Sequence, residues 1–253
     1  MGIAPHLKGK LMPVAYLIAL IPTVVLLWAV GAFRLDRVQA KALWVATVLG
    51  ALVTAPVWVV ETAVEGPAAF IPDLYRRALL QQVVGASLVE ELAILLAFFL
   101  AYLLFRTTSI VGPRDVVALA VSAAVGFTTV ENLFAVWAAE APLTVAVTRL
   151  LSLVAGHASL QLVMGYFAAR IWLGEGDRLV NGLLMVGIPV AIHGWGDFSD
   201  AVFQAQEAID PNGDAAKNWF TAWTSALFLY VASAAAVLWQ MRYGWEGASP
   251  DPK

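Results

Sequence analysis

The sequence predicts an all-α, polytopic membrane helix bundle of about seven transmembrane helices, on three observations. Of 253 residues, 61% are hydrophobic and only 13% charged, whereas soluble domains carry ~25% charged residues. The mean hydropathy is +0.79. The apolar residues fall into runs of about 20, the length that crosses a hydrocarbon core as one helix. Proline, glycine and charged residues concentrate in the short breaks between runs. No polar stretch is long enough for a second domain, so 1–253 reads as a single integral membrane domain.

Composition also excludes several functions. A net charge of −3 and a pI near 5.6 offer no basic field for nucleic acid. With no cysteine, disulfides and thiolate metal sites are ruled out. Any metal must be held by histidine and carboxylate.

The first run, 11–33, is too long for a signal-peptide core and reads as a retained span. The second, 42–60, follows Arg34, Arg37 and Lys41 and ends at Trp58. Beyond it, Glu61 and Glu65 share a helix face by their i,i+4 spacing and read as solvated. Arg76 and Arg77 read as headgroup contacts ahead of the third run, 79–105, which closes on Arg106. The fourth, 116–138, begins after Gly112-Pro113-Arg114 and ends at Trp137. The fifth, 146–173, leads into the turn Gly174-Glu175-Gly176-Asp177. The sixth, 180–203, contains Pro189 and, around Trp195, Gly194 and Gly196, so kinking or loosening is expected there. Asp210-Pro211-Asn212-Gly213-Asp214 begins like a calcium loop but lacks its later glycine and glutamate, and reads as a turn. The seventh run is 218–241.

Positive residues bias the orientation. Arg34, Arg37, Lys41, Arg106, Arg114, Arg170, Arg178 and Arg242 fall on one side, which the positive-inside rule makes cytoplasmic. The N-terminus is then outside and the C-terminus inside, with Lys8 and Lys10 running against the rule. Trp58, Trp137, Trp219 and Trp223 fall at outer ends, and Trp28, Trp44, Trp172 and Trp239 nearer inner ends, as interfacial belts do. Trp195 is the exception.

The polar outliers point to function. Glu90 and Glu91 interrupt the third run, although an acidic residue at a span centre costs ~2.5–3.5 kcal/mol on insertion scales. Glu131 and Asn132 lie near the end of the fourth run, His157 inside the fifth, and His193 with Asp197 inside the sixth. With alternating helix directions and ~1.5 Å per residue, all fall roughly 9–17 Å below the outer surface. His193 and Asp197 share a face, as do His157 and Gln161, and Ser87 and Glu91. Arg149 is the strong positive charge nearest this slab. Ser87 itself reads as a small packing residue.

Two chemistries use such a set. Two imidazoles with one or two glutamates (His157, His193, Glu91 and Glu131) suit a divalent metal such as Zn²⁺, leaving a further glutamate as base toward water. Alternatively, adjacent carboxylates of unlike protonation could activate water without metal. Asn132 or the histidines would stabilise an oxyanion in either case. Both routes lead to hydrolysis, with Glu90, Glu91, Glu131, Asn132 and Asp197 as the candidate catalytic residues.

Four stretches, one per helix and spanning about 110 of the 253 residues, carry a family resemblance. They are Val89-Glu90-Glu91-Leu92-Ala93-Ile94; Gly126-Phe127-Thr128-Thr129-Val130-Glu131-Asn132; Arg149 with Gly156-His157 and Gly165; and Ala191-Ile192-His193-Gly194-Trp195-Gly196-Asp197-Phe198. Together they resemble PrsW-type intramembrane proteases, which are similar to the type II CAAX prenyl proteases and bacteriocin-processing (CPBP) proteins. More distantly they resemble the multipass scaffold subunit of γ-secretase. The resemblance implies a CPBP-like helical core over 79–203 and a glutamate-dependent peptidase. Its implied substrate is a single-span membrane protein such as an anti-sigma factor, cut on the extracytoplasmic side of a bacterial-type plasma membrane. By motif match Glu90 and Glu91 are the catalytic pair. Glu131 stands where the CAAX proteases carry a histidine, and His193 with Asp197 matches their H-x-x-x-N/D. The family usually has Lys or Arg three or four residues after the second glutamate; here Ile94 and Leu95 stand there, and Arg149 is the candidate substitute.

Two other classes share these residues. A proton-coupled transporter also uses buried Glu and His, but the chain shows no inverted repeat of the kind such carriers have. A non-catalytic scaffold binding transmembrane helices would keep the polar slab and cleave nothing.

Overall fold

The computed structural model describes residues 5–32, 37–110, 112–210 and 213–243, and all of its regular structure is helical. Helix α1 spans Pro5–Val30, α2 Arg37–Ala68, α3 Leu74–Phe105, α4 Pro113–Ala138, α5 Pro142–Ala155, α6 His157–Leu173, α7 Arg178–Ile209 and α8 Asp214–Tyr243. Arg34, Pro211 and Asn212 lie outside the described residues, as do the side chains of Lys8, Lys10 and Arg37. Among the described residues six helices, α1, α2, α3, α4, α7 and α8, are long and apolar enough to cross a membrane. The chain is an integral membrane protein.

The run expected as one fifth span is instead two helices of 14 and 17 residues. At ~1.5 Å per residue neither half reaches across a ~30 Å hydrocarbon core. They meet at Gly156, whose φ of −89° and ψ of −121° fall outside the helical region. The sixth run behaves in the opposite way: α7 passes through Pro189 and Gly194-Trp195-Gly196 as one continuous helix. A proline removes one backbone hydrogen bond, and surroundings without competing water favour keeping the rest. The irregularity of α3 falls earlier, where Leu79–Ser87 winds as a π-helix before returning to α geometry at Leu88.

The ends are closed by local chemistry. The Asp73 carboxylate accepts from the Arg76 N–H at 2.8 Å, and that of Asp177 accepts from the Val180 N–H at 2.9 Å. Helix α6 ends on Gly174 at φ +72°, with the Glu175 N–H donating to the Arg170 carbonyl at 2.9 Å. That left-handed C-terminal turn favours glycine.

Helix α4 is the centre of the bundle. Of its apolar window 72% is buried inside the protein, against 17–33% for the other five candidate spans. Its stretch Val116–Thr128 is rich in alanine, which lets α2 and α6 pack closely against it. A Cβ on Gly126 would overlap the Thr47 carbonyl oxygen, and one on Gly50 that of Ala123. Glycine at both positions is therefore what allows α2 and α4 to cross. The Thr23 and Thr129 hydroxyls, 2.7 Å apart, link α1 to the same helix. On the outside, Trp28, Trp58, Trp137 and Trp239 are 64–71% exposed, where lipid would cover them. Trp195 donates to the Ser225 hydroxyl at 3.2 Å and packs on Phe198 and Trp219.

Candidate active site

Two backbone irregularities feed one cluster. The π-helical turn of α3 delivers Glu90 and Glu91 just after it, and the break at Gly156 makes His157 the first residue of α6. π-helical turns frequently mark functional sites, and a helix N-terminus presents its positive dipole end to nearby carboxylates. Helix α4 supplies Glu131, while α7 supplies His193 and Asp197. The Ser87 hydroxyl lies 2.7 Å from the Gln82 carbonyl and 3.0 Å from Asp197 Oδ2, joining the π-helical turn to α7.

The two glutamates face different ways. Glu91 is fully buried, with Oε1 3.0 Å from His193 Nδ1 and 3.4 Å from His157 Nδ1. Its Oε2 accepts from the Gln161 amide at 2.6 Å. Glu90 lies on the opposite edge of both rings. Its Oε2 is 3.3 Å from His157 Nε2 and 3.8 Å from His193 Nε2, and forms no hydrogen bond. The rings stand edge to face with centroids 4.7 Å apart, and Phe127 backs His157 at 5.4 Å. His193 Nδ1 is within hydrogen-bond distance of Glu91 Oε1, whereas His157 Nδ1 makes no hydrogen bond. With Nδ1 carrying the proton on each ring, both Nε2 atoms would present lone pairs beside the Glu90 oxygen, a donor set that suits a metal ion. Ligand atoms of Glu90, His157 and His193 lie within 4.8 Å of one another.

Glu131 and Asp197 flank this triad. Glu131 Oε2 is 3.4 Å from His157 Nε2 without a hydrogen bond, while Oε1 is ion-paired with Arg149. Asp197 Oδ2 is 3.1 Å from His193 Nε2. A cation thus does reach the cluster, from α5, whereas Ile94 is fully buried in the apolar core.

These groups open on a cavity of about 710 Å³ lined by Glu90, Glu131, His157, His193, Asp197 and Arg149. Glu61, Glu65, Asp200 and Tyr230 also line it. Of these four, the sequence presents the first two as a solvated face and singles out neither of the others. Asp200 carried a signal, an acid three residues beyond Asp197 inside an apolar run; Tyr230 had none. Glu91 and Asn132 do not line the cavity. Glu91 stands behind the histidines, and Asn132 is 1% exposed with both amide atoms lacking hydrogen bonds.

The sequence profile of the PrsW family intramembrane metalloproteases matches residues 39–238, a range that takes in every residue of this cluster. No curated protein and no solved structure matches the chain.

Proposed function

The chain belongs to the PrsW family of intramembrane metalloproteases, and from that premise we propose that it hydrolyses a peptide bond of another membrane protein in the cavity at Glu90, His157 and His193. The observation that carries the site assignment is the convergence of the Glu90 Oε2, which has no hydrogen bond, on two imidazole Nε2 atoms at 3.3 and 3.8 Å. Two imidazoles and one carboxylate suit zinc, and a set of three leaves a position open for catalysis. Bound there, the ion would supply Lewis acidity toward water and the substrate carbonyl.

Glu91 is then the carboxylate that orients both histidines from behind, as buried acids do for metal-ligating imidazoles. In this reading Glu90, rather than Glu91 or Glu131, is the acidic ligand. Glu131, steered by Arg149 and with an unengaged oxygen at the cavity, takes the proton from the attacking water and passes it to the leaving amine. Asp197 Oδ2, 3.1 Å from the same His193 Nε2, is a further acceptor beside the proposed metal position and carries no separate proton step. Asn132, outside the cavity lining, has no part in this scheme. The single membrane domain of 1–253 houses the whole site.

The substrate proposed is a single-span protein of the anti-sigma-factor kind that the motifs imply. The charge bias of the loops supports an N-terminus outside and a C-terminus inside a bacterial-type plasma membrane, with α5 and α6 together making a seventh, broken crossing and the cut near the extracytoplasmic face. The test is cleavage of a single-span reporter in proteoliposomes, with the cut mapped by mass spectrometry. Wild type should cut near the outer interface while Glu90→Ala and His157→Ala leave the reporter whole. Cleavage that survives both substitutions would sink the assignment.

A further inference from the structure

Tyr230 lies on α8, outside every motif that carries the family resemblance, yet it lines the same cavity as Glu90, His157 and His193. It is only 6% exposed. Its ring packs with Leu160 and Ala226 and against Ile192, between the helix that begins at His157 and the helix that bears His193. Gly196, one turn after His193, makes room for it, since a Cβ there would lie 3.1 Å from the tyrosine hydroxyl. Gly196, which the hydroxyl adjoins, lines the same cavity, so the phenol has that cavity in which to find a hydrogen-bond partner.

We propose that Tyr230 is a further catalytic residue, whose phenolic O–H donates a hydrogen bond to the oxyanion of the tetrahedral adduct. This rests on the peptidase reading above. Attack by water forms a C–O bond and moves the carbonyl π pair onto oxygen, which accepts from Tyr230. Collapse returns that pair, breaks the C–N bond and releases the amine with the proton carried by Glu131. Tyr230 keeps its own proton throughout. The cluster of acids and imidazoles contains few hydrogen-bond donors, so a neutral donor on the facing helix meets a need the other residues leave open.

The test is Tyr230→Phe, which keeps the ring packing and removes only the oxygen. In proteoliposomes with the single-span reporter, kcat should fall ~10²–10³-fold, the loss found on removing one oxyanion donor. KM, metal content and thermal unfolding should stay at wild-type values. A phosphinic peptide, whose tetrahedral oxygens copy the adduct, should bind the variant more weakly by a similar factor, while the matching amide peptide binds both proteins alike. Unchanged kcat with unchanged phosphinic affinity would overturn the proposal, as would a loss that merely tracks lost metal. A metal-loaded wild type that cleaves nothing contradicts the peptidase reading instead, and the phosphinic comparison then decides Tyr230 by itself.

Discussion

Glu91→Gln tests whether this carboxylate braces the histidines or acts on substrate. Glu91 Oε1 lies 3.0 Å from His193 Nδ1 and 3.4 Å from His157 Nδ1, the second without a hydrogen bond, and Oε2 accepts from the Gln161 amide at 2.6 Å. Glutamine fits the same volume but offers one acceptor and one donor group. Whichever way its amide turns, one side meets a donor with a donor: either Gln161 or the imidazole pair. A hydrogen bond to a charged group contributes ~1.5–3 kcal/mol, and side-chain rotation recovers part of that loss. What remains should appear in metal affinity, since removing the partner of a ligating histidine costs ~10–100-fold. That is ~1.4–2.7 kcal/mol. The assay is equilibrium competition for zinc between the detergent-solubilised protein and a chelating dye. Full metal affinity with abolished cleavage would make Glu91 the base and refute the bracing role. A complete loss equal to that of His157→Ala would make it a ligand and refute the role equally.

Three further outcomes follow from the fold and its proposed orientation. Gly126→Val should destabilise the protein in detergent by at least ~1–3 kcal/mol, because overpacking must open the α2–α4 crossing at Thr47. Gly187→Ala, where a Cβ meets nothing within 4 Å, should be neutral or slightly stabilising in the same thermal scan. The chain has no cysteine, so single cysteines introduced at Thr108 and Glu207 report orientation cleanly. A membrane-impermeant maleimide added to intact cells should label the Glu207 site and spare the Thr108 site; the reverse pattern would invert the proposed topology.

Much of the site was legible because charge inside an apolar run stands out. Glu90, Glu91, Glu131, His157, His193 and Asp197 were each visible that way, and helical spacing already paired His157 with Gln161 and Ser87 with Glu91. The distinct placements of Glu90 and Glu91 were not legible. Adjacent residues point about 100° apart on a helix, and only packing decides which one meets Nδ1 and which meets Nε2. The π-helical turn at Leu79–Ser87 and the break at Gly156 were hidden for a related reason. Hydropathy is indifferent to one extra residue per turn, and a lone glycine in a long apolar run is ordinary. Pro189 was the louder signal, and α7 absorbed it. Glu61 and Glu65 read as a solvated face; Glu65 is exposed, and the cavity extends to both, which the sequence did not signal. Tyr230 was hidden because a tyrosine in an apolar helix is unremarkable until its hydroxyl is seen to face a cavity.

The most direct measurement is the metal content of the protein purified without chelators, wild type against His157→Ala, His193→Ala and Glu90→Ala. The account predicts about one divalent ion per chain in wild type and a severe loss in all three variants, with folding intact. Cleavage should be abolished by chelation and restored by zinc. Wild-type protein that cleaves its substrate while carrying no metal, or a Glu90→Ala protein that keeps its ion as tightly as wild type, would contradict the assignment of Glu90, His157 and His193 as the metal centre.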